Sequence, residues 1–141
     1  MRRLFLSTAV MVMTSLAFAP SSILAKEKNS PTKINGAVTI NAKKAKELFD
    51  KGVVFVDVRS DKDYAAGRVP DAMHIELKKV YSKDTLAKVA KPGQPVVIYC
   101  NGHSCLRSAH ATEKAVAWGY KNVYYFRDGF PAWKSSGYPV E

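Results

Sequence analysis

"VVIYCNGHSCLRSAHA", residues 96–111, decides how this chain is read. Val96, Val97 and Ile98 form a β-branched apolar run with no polar alternation, which points to a strand buried on both faces and ending at Cys100. Asn101, Gly102, His103 and Ser104 are small or polar loop residues, and an alanine-rich stretch from Arg107 predicts a helix over about 107–118. The segment is therefore a strand, a loop and a helix, and the loop region contains both cysteines of the chain, Cys100 and Cys105.

Working outward, the same grammar repeats. "NAKKAKELFDKG" predicts an amphipathic helix with Asn41 as N-cap, Ala42, Ala45, Leu48 and Phe49 on one face, and Gly52 as the stop. "VVFVDV", 53–58, predicts a second central strand, "DKDYAAG" a short helix ending at Gly67, and "AMHIEL" a further strand. "KKVYSKDTLAKVA", 78–90, is weakly helical, "KPGQP" is a turn, "NVYYF" is a strand, and "RDGFPAWKSSGYPVE" closes the chain as a last helical turn and tail. Strands alternating with helices predict an α/β fold, a mainly parallel central sheet with helices on both faces.

The amino terminus sets the compartment. Arg2 and Arg3 precede an uncharged apolar run from Leu4 to about Ala19, followed by small residues, the pattern of a signal peptide over 1–25 with cleavage after Ala25. Export to the periplasm or the exterior follows as the expectation, by the general secretory route; "RRLFL" only partly matches a twin-arginine signal. A retained anchor is the alternative, although the run is short of the roughly 20 apolar residues of a membrane span. Processing would leave 116 residues: a flexible lead-in over 26–35 and one domain over 36–141. It removes two of the 22 basic residues and none of the 12 acidic ones, leaving a net charge of +8. Such a surplus favours anions, but the lysines are scattered without a basic stripe interleaved with aromatics, so no nucleic-acid partner is implied. Neither a stable membrane span after processing nor oligomerisation is expected.

In parallel sheets ligands gather at the carboxyl ends of strands, where Cys100 falls. The helix opening near Leu106 and Arg107 directs unpaired backbone N–H groups toward the sulfur, favouring thiolate, the nucleophilic form. The same groups, with a guanidinium from Arg107, make an anion cradle formed by Asn101, Gly102, His103, Ser104 and Leu106.

Three stretches carry a family resemblance. "FVDVRSDKDYAAGRVPDAMHI", "VVIYC…RS" and "DGFPAWKSSGYPV", in that order, resemble the strand, active-site loop and closing motifs of the rhodanese domain. The resemblance runs over about residues 36–140. It implies a sulfurtransferase in which Cys100 takes a sulfane sulfur from a donor such as thiosulfate, holds it as a persulfide, and passes it to a thiophilic acceptor, cyanide or a thiol. By the same carry-over Arg107 binds a small anionic donor and the loop amides stabilise the persulfide; no cofactor or metal is called for.

The loop departs from the family in length. Six residues separate Cys100 from Arg107, where single-domain rhodaneses usually have four and the related phosphatases five. Cys105 has three readings: it resolves the persulfide, forms a disulfide with Cys100, or packs. Cys-x-x-His-x-Cys, with His103 between the thiols, lacks a clear fourth ligand for a metal. Asp57 and Arg59 read as loop buttresses joined by an ion pair. His74 and His110 read as ordinary partly buried histidines, and the aromatic residues Trp118, Trp133 and Tyr124 to Phe126 as core or rim. Tyr99 should face away from Cys100. The rival readings are a non-catalytic or thiol–disulfide redox module built on Cys100 and Cys105, and a phosphatase or arsenate reductase on the same fold.

Overall fold

The structure, a computed structural model, describes residues 29–141. The signal-peptide reading of 1–25 lies outside the described residues. The elements run β1 (Ala37–Thr39), α1 (Ala42–Asp50), β2 (Val54–Asp57), α2 (Asp61–Ala66), β3 (Met73–His74), α3 (Lys83–Val89), β4 (Val96–Tyr99), α4 (Arg107–Ala117), β5 (Val123–Phe126) and α5 (Gly129–Ser135). The five strands form one sheet in the order β1-β5-β4-β2-β3, every pairing parallel. The apolar runs 54–57 and 96–99 occupy interior positions, as strands without a polar face must.

Alternation along β4 builds the two layers. Val96, Ile98 and Cys100 join Val56, Leu86, Ala111 and Ala115 in the core beneath α3 and α4. Val97 and Tyr99 join Ala45, Leu48, Phe55, Phe126, Phe130 and Trp133 beneath α1 and α5. Tyr99 thus does face away from Cys100. Asn41 caps α1 through Oδ1, which accepts from the Lys44 N–H at 2.9 Å.

Four local readings change. The strand predicted in "AMHIEL" shrinks to Met73–His74, because after His74 the backbone turns across the ends of its neighbours, Ile75 N–H donating to Asp57 and Leu77 N–H to Val58. The helix over 78–90 begins only at Lys83: the N–H groups of Lys79, Val80 and Tyr81 all converge on the Glu76 carbonyl, and Ser82 then caps a new helix in a reciprocal capping box with Thr85. The closing helical turn is longer, spanning Gly129–Ser135. Finally, the lead-in is packed from Ser30 onward: Ser30 is buried, its N–H donates to the His103 carbonyl at 2.6 Å, and its carbonyl accepts from Arg127. Three residues later than Ile34, which is also buried, the chain enters the edge strand β1, a strand too short and too polar in its surroundings to leave a periodic signal.

Candidate functional site

The site forms where β2 and β4, neighbours in register with Asp57 opposite Tyr99, both run out at the same edge of the sheet. Cys100 directly follows β4 and is almost fully buried, whereas Cys105 is half-buried. The two are joined as a disulfide, with Cα atoms 6.3 Å apart. This separation lies within the roughly 4.4 to 6.8 Å that a disulfide accepts. Of the three readings of Cys105, packing alone is therefore set aside, and in this state Cys100 carries no free thiolate. Both thiols of the Cys-x-x-His-x-Cys pattern are committed to each other, and His103 pairs with Asp128.

The loop between the sulfurs is held from several sides. Gly102, at φ 100°, permits a tight turn in which the Cys105 N–H donates to the Gly102 carbonyl at 3.0 Å. The Phe130 N–H donates to the Cys100 carbonyl at 2.9 Å, and Ser30 holds the His103 carbonyl. Asn101 is gripped at both ends of its side chain: Oδ1 accepts from Arg59 Nη1 at 3.2 Å and Nδ2 donates to Asp63 Oδ2 at 3.1 Å. Gly129, at φ 64°, lets the chain pass against the loop, since a Cβ there would lie 2.8 Å from the Gly102 nitrogen and closer still to the Cys100 carbonyl oxygen. Asn101, Gly102, His103 and Ser104 line one side of an open groove, faced by Asn29, Asp128, Pro131, Ala132 and Ser135.

Helix α4 begins at Arg107 with Leu106 in the cap position, exposed and without a capping side chain. No side chain caps its first N–H groups, and the helix starts two residues after Cys105. Arg107 departs from expectation. Its Nη1 donates to Glu76 Oε1 at 2.7 Å, and its side chain makes no other hydrogen bond among the described residues. Glu76 is buried, and its Oε2 has no partner among the described residues. An arriving anion therefore meets an arginine already paired with a carboxylate. Glu76 was missed in the sequence because it lies in the stretch read as a strand, with nothing nearby to mark it as charged and buried.

Behind the loop, Asp57 and Arg59 form a buried ion pair. Arg59 Nε donates to both Asp57 oxygens at 3.0 Å, and Nη2 donates to Asp57 Oδ2 and to the Gly67 carbonyl, each at 2.6 Å. Burial works against the charge of Arg59, but the hydrogen bonds and charge of Asp57 outweigh it and raise its pKa above the ordinary value. Tyr99 adds a donor, its hydroxyl 2.7 Å from Asp57 Oδ2, and burial followed by the Asp57 charge pushes that phenol upward. Asp63 is held below its ordinary value, first by the Ser60 hydroxyl and then, against a modest burial effect, by the Asn101 amide and the charges of Arg59 and Arg107. His74 stays outside the chemistry: its ring stacks on Tyr64 at 4.2 Å between centroids and its Nε2 meets the Arg59 carbonyl. His110, read from the sequence as partly buried, is instead exposed beside Glu113 on the outer face of α4.

A buried strand-end cysteine, a loop closing into an uncapped helix, and an arginine at that helix's first turn define the class. Residues 41–136 match the family described as the rhodanese-like domain, and the chain belongs to that family. Among curated relatives, thiosulfate sulfurtransferase GlpE of Pseudomonas fluorescens is 32% identical over 98 residues, covering 69% of this chain and 84% of its own. Thiosulfate sulfurtransferase 18 of Arabidopsis thaliana is 27% identical over 123 residues, covering 79% and 89%. Among solved structures, the polysulfide-sulfur transferase homodimer of Wolinella succinogenes is 26% identical with a TM-score of 0.60, covering 75% of this chain and 79% of its own. No helix among the described residues is long and apolar enough to cross a membrane.

Proposed function

We propose that this protein is an exported rhodanese-type sulfurtransferase whose sulfur-carrying nucleophile is Cys100, active when the Cys100–Cys105 disulfide is open. The observation that carries this reading is the placement of Cys100: at the carboxyl end of β4, in a loop closed into an α4 amino terminus with no side-chain cap. Helix-end N–H groups lower a thiol's pKa and hold negative charge, which serves both the attacking thiolate and the persulfide anion. In the first half-reaction the Cys100 thiolate attacks the outer sulfur of thiosulfate, the S–S bond of the donor breaks, and sulfite departs with the electron pair. In the second, cyanide or a thiolate takes the outer sulfur and Cys100 is returned. Arg107 attracts the donor while sharing its charge with Glu76.

Arg2, Arg3 and the apolar run after them support export, to a compartment in which a disulfide between Cys100 and Cys105 persists. The test is stoichiometric: fully reduced, desalted protein should release about one equivalent of sulfite from thiosulfate. Protein with two titratable thiols that releases none would remove the thiosulfate reading. One observation favours a second reading, a thiol–disulfide redox module: the cysteines are bonded, and the more buried of them is the one assigned to sulfur chemistry.

A further inference from the structure

We infer that Cys105 is the resolving thiol of this site: it attacks the Cys100 persulfide, closes the disulfide seen here, and expels the transferred sulfur as hydrosulfide. The inference rests on the proposed sulfurtransferase reading and adds an outcome to it. The protein becomes a reductive sulfide-releasing enzyme, and a dithiol must restore it after each turnover.

The chemistry balances. The Cys105 thiolate attacks Sγ of Cys100, the bond between that sulfur and the outer sulfur breaks, and the outer sulfur leaves as hydrosulfide with the bonding electrons. Two cysteine thiols are oxidised to one disulfide. Over both steps, one thiosulfate is reduced to one sulfite and one hydrosulfide, with one proton released. The oxidised product of this route is the Cys100–Cys105 bond itself.

Three features of the loop suit it to this step. The contacts that shape it, Phe130 to Cys100 O, Cys105 to Gly102 O, Ser30 to His103 O, and Arg59 to Asn101, involve no sulfur atom, so opening the disulfide breaks none of them directly. The reduced thiols therefore stay close, and a neighbour held in place competes far better than a free acceptor, because its translational freedom is already lost. Secondly, Cys105 lies two residues before the start of α4, whose cap residue Leu106 makes no side-chain cap hydrogen bond, so the helix end favours thiolate on the attacking residue too. Thirdly, the sulfurs differ in access: Cys100 is 1% exposed while Cys105 is half-buried. An external dithiol reaches Cys105, forms the mixed disulfide there, and releases Cys100 as the thiolate ready for the next donor. The reaction that consumes this product is thus thiol–disulfide exchange with a dithiol carrier, which ends as its own disulfide while both cysteines regain their thiol state.

The experiment is one anaerobic turnover of reduced, desalted full-length protein with no added thiol, started either with thiosulfate or with inorganic polysulfide. Sulfite, hydrosulfide and intact mass are read together. Wild type should release hydrosulfide and end two hydrogen masses lighter than the reduced protein. Cys105→Ser and Cys105→Ala should keep the extra sulfur atom on Cys100 with either donor and, with thiosulfate, release no hydrosulfide until dithiothreitol is added. Sulfite release with a wild-type persulfide that persists as long as that of the variants would overturn the inference and leave the sulfurtransferase reading intact. No sulfite from thiosulfate, but with polysulfide a disulfide in the wild type where the Cys105 variants keep the persulfide, would overturn thiosulfate as donor and uphold the resolving role. Failure of both donors to load Cys100 would overturn both.

Discussion

Two turns lie side by side at the carboxyl edge of the sheet, one after β2 and one after β4, and they are built on opposite principles. The first holds opposite charges, Asp57 and Arg59, joined by several hydrogen bonds in a buried pair. The second holds two sulfurs whose bond can be made or broken by redox chemistry. Arg59 joins them, donating from its guanidinium to Asn101 in the cysteine loop. On the proposed sulfurtransferase reading, the charged turn positions and the sulfur turn reacts; a site whose chemistry alternates between two covalent states needs a neighbour that does not.

The sharpest way to break this division is at Cys100. Cys100→Ser should abolish release of sulfite from thiosulfate, whereas Cys105→Ser should retain it, because only Cys100 stands at the strand end within the sheet's core. An inactive Cys105→Ser beside an active Cys100→Ser would reverse the assignment of nucleophile. On the β2 side the expected effect is on folding. Arg59→Met leaves Asp57 buried with only the Tyr99 hydroxyl and the residue-59 N–H as donors, and should cost about 3 kcal/mol in denaturant unfolding. A loss within experimental error of zero would mean that the pair does not support the site.

Where these turns touch, Gly129 is the most sensitive point. Gly129→Ala must hold a positive φ, which costs about 1 to 2 kcal/mol, and must also push its Cβ off the Cys100 carbonyl and the Gly102 nitrogen. Sulfite release should fall by more than the stability loss explains; unchanged turnover in the folded variant would show that the loop tolerates displacement.

How much of this was readable beforehand differs between the same two turns. The α/β alternation, the interior strands 54–57 and 96–99, the N-cap at Asn41 and the position of Cys100 all follow from local patterns, because periodicity and capping are properties of contiguous residues. The Asp57–Arg59 pair is local too, two residues apart. What stayed hidden is non-local. Glu76 meets Arg107 across 31 residues, Ser30 meets His103 across most of the domain, and Gly129 earns its meaning only from the approach of the cysteine loop. The strand β1 was hidden for a related reason: its place at the sheet edge depends on pairing with β5, which lies at the far end of the chain.

Glu76 sharpens the comparison on the β4 side. Arg107→Ala should raise KM for thiosulfate by about tenfold, the worth of one charge-assisted hydrogen bond. Glu76→Gln should act in the opposite direction, lowering KM severalfold by freeing the guanidinium for the donor. Lysine at 107 should rescue poorly, because a point charge cannot serve Glu76 and an anion together through a planar fork. If Glu76→Gln instead raised KM as much as Arg107→Ala, the carboxylate would be needed to aim the arginine rather than to restrain it.

The smallest effect concerns the link between the turns. Asp63 accepts from Asn101 Nδ2 and from Ser60 Oγ, and its carboxyl is held below the ordinary value of about 3.9. A carboxyl whose folded pKa is depressed contributes stability that is fully present above its unfolded pKa and is lost as pH falls through the folded one. The unfolding free energies of wild type and Asp63→Asn should therefore differ by a constant amount at neutral pH and converge as pH drops below roughly 4. The difference between the two proteins is the quantity to follow, because Glu47, Asp61 and Glu141 are lowered as well and titrate in the same acid range in both. In the same window the Asn101 side-chain amide resonances of wild type should shift toward those of the variant. A difference that persisted undiminished at the acid end would show that Asp63 supports Asn101 through shape rather than charge, and the cysteine loop would then owe its position to Arg59 alone among the charged groups of the β2 turn.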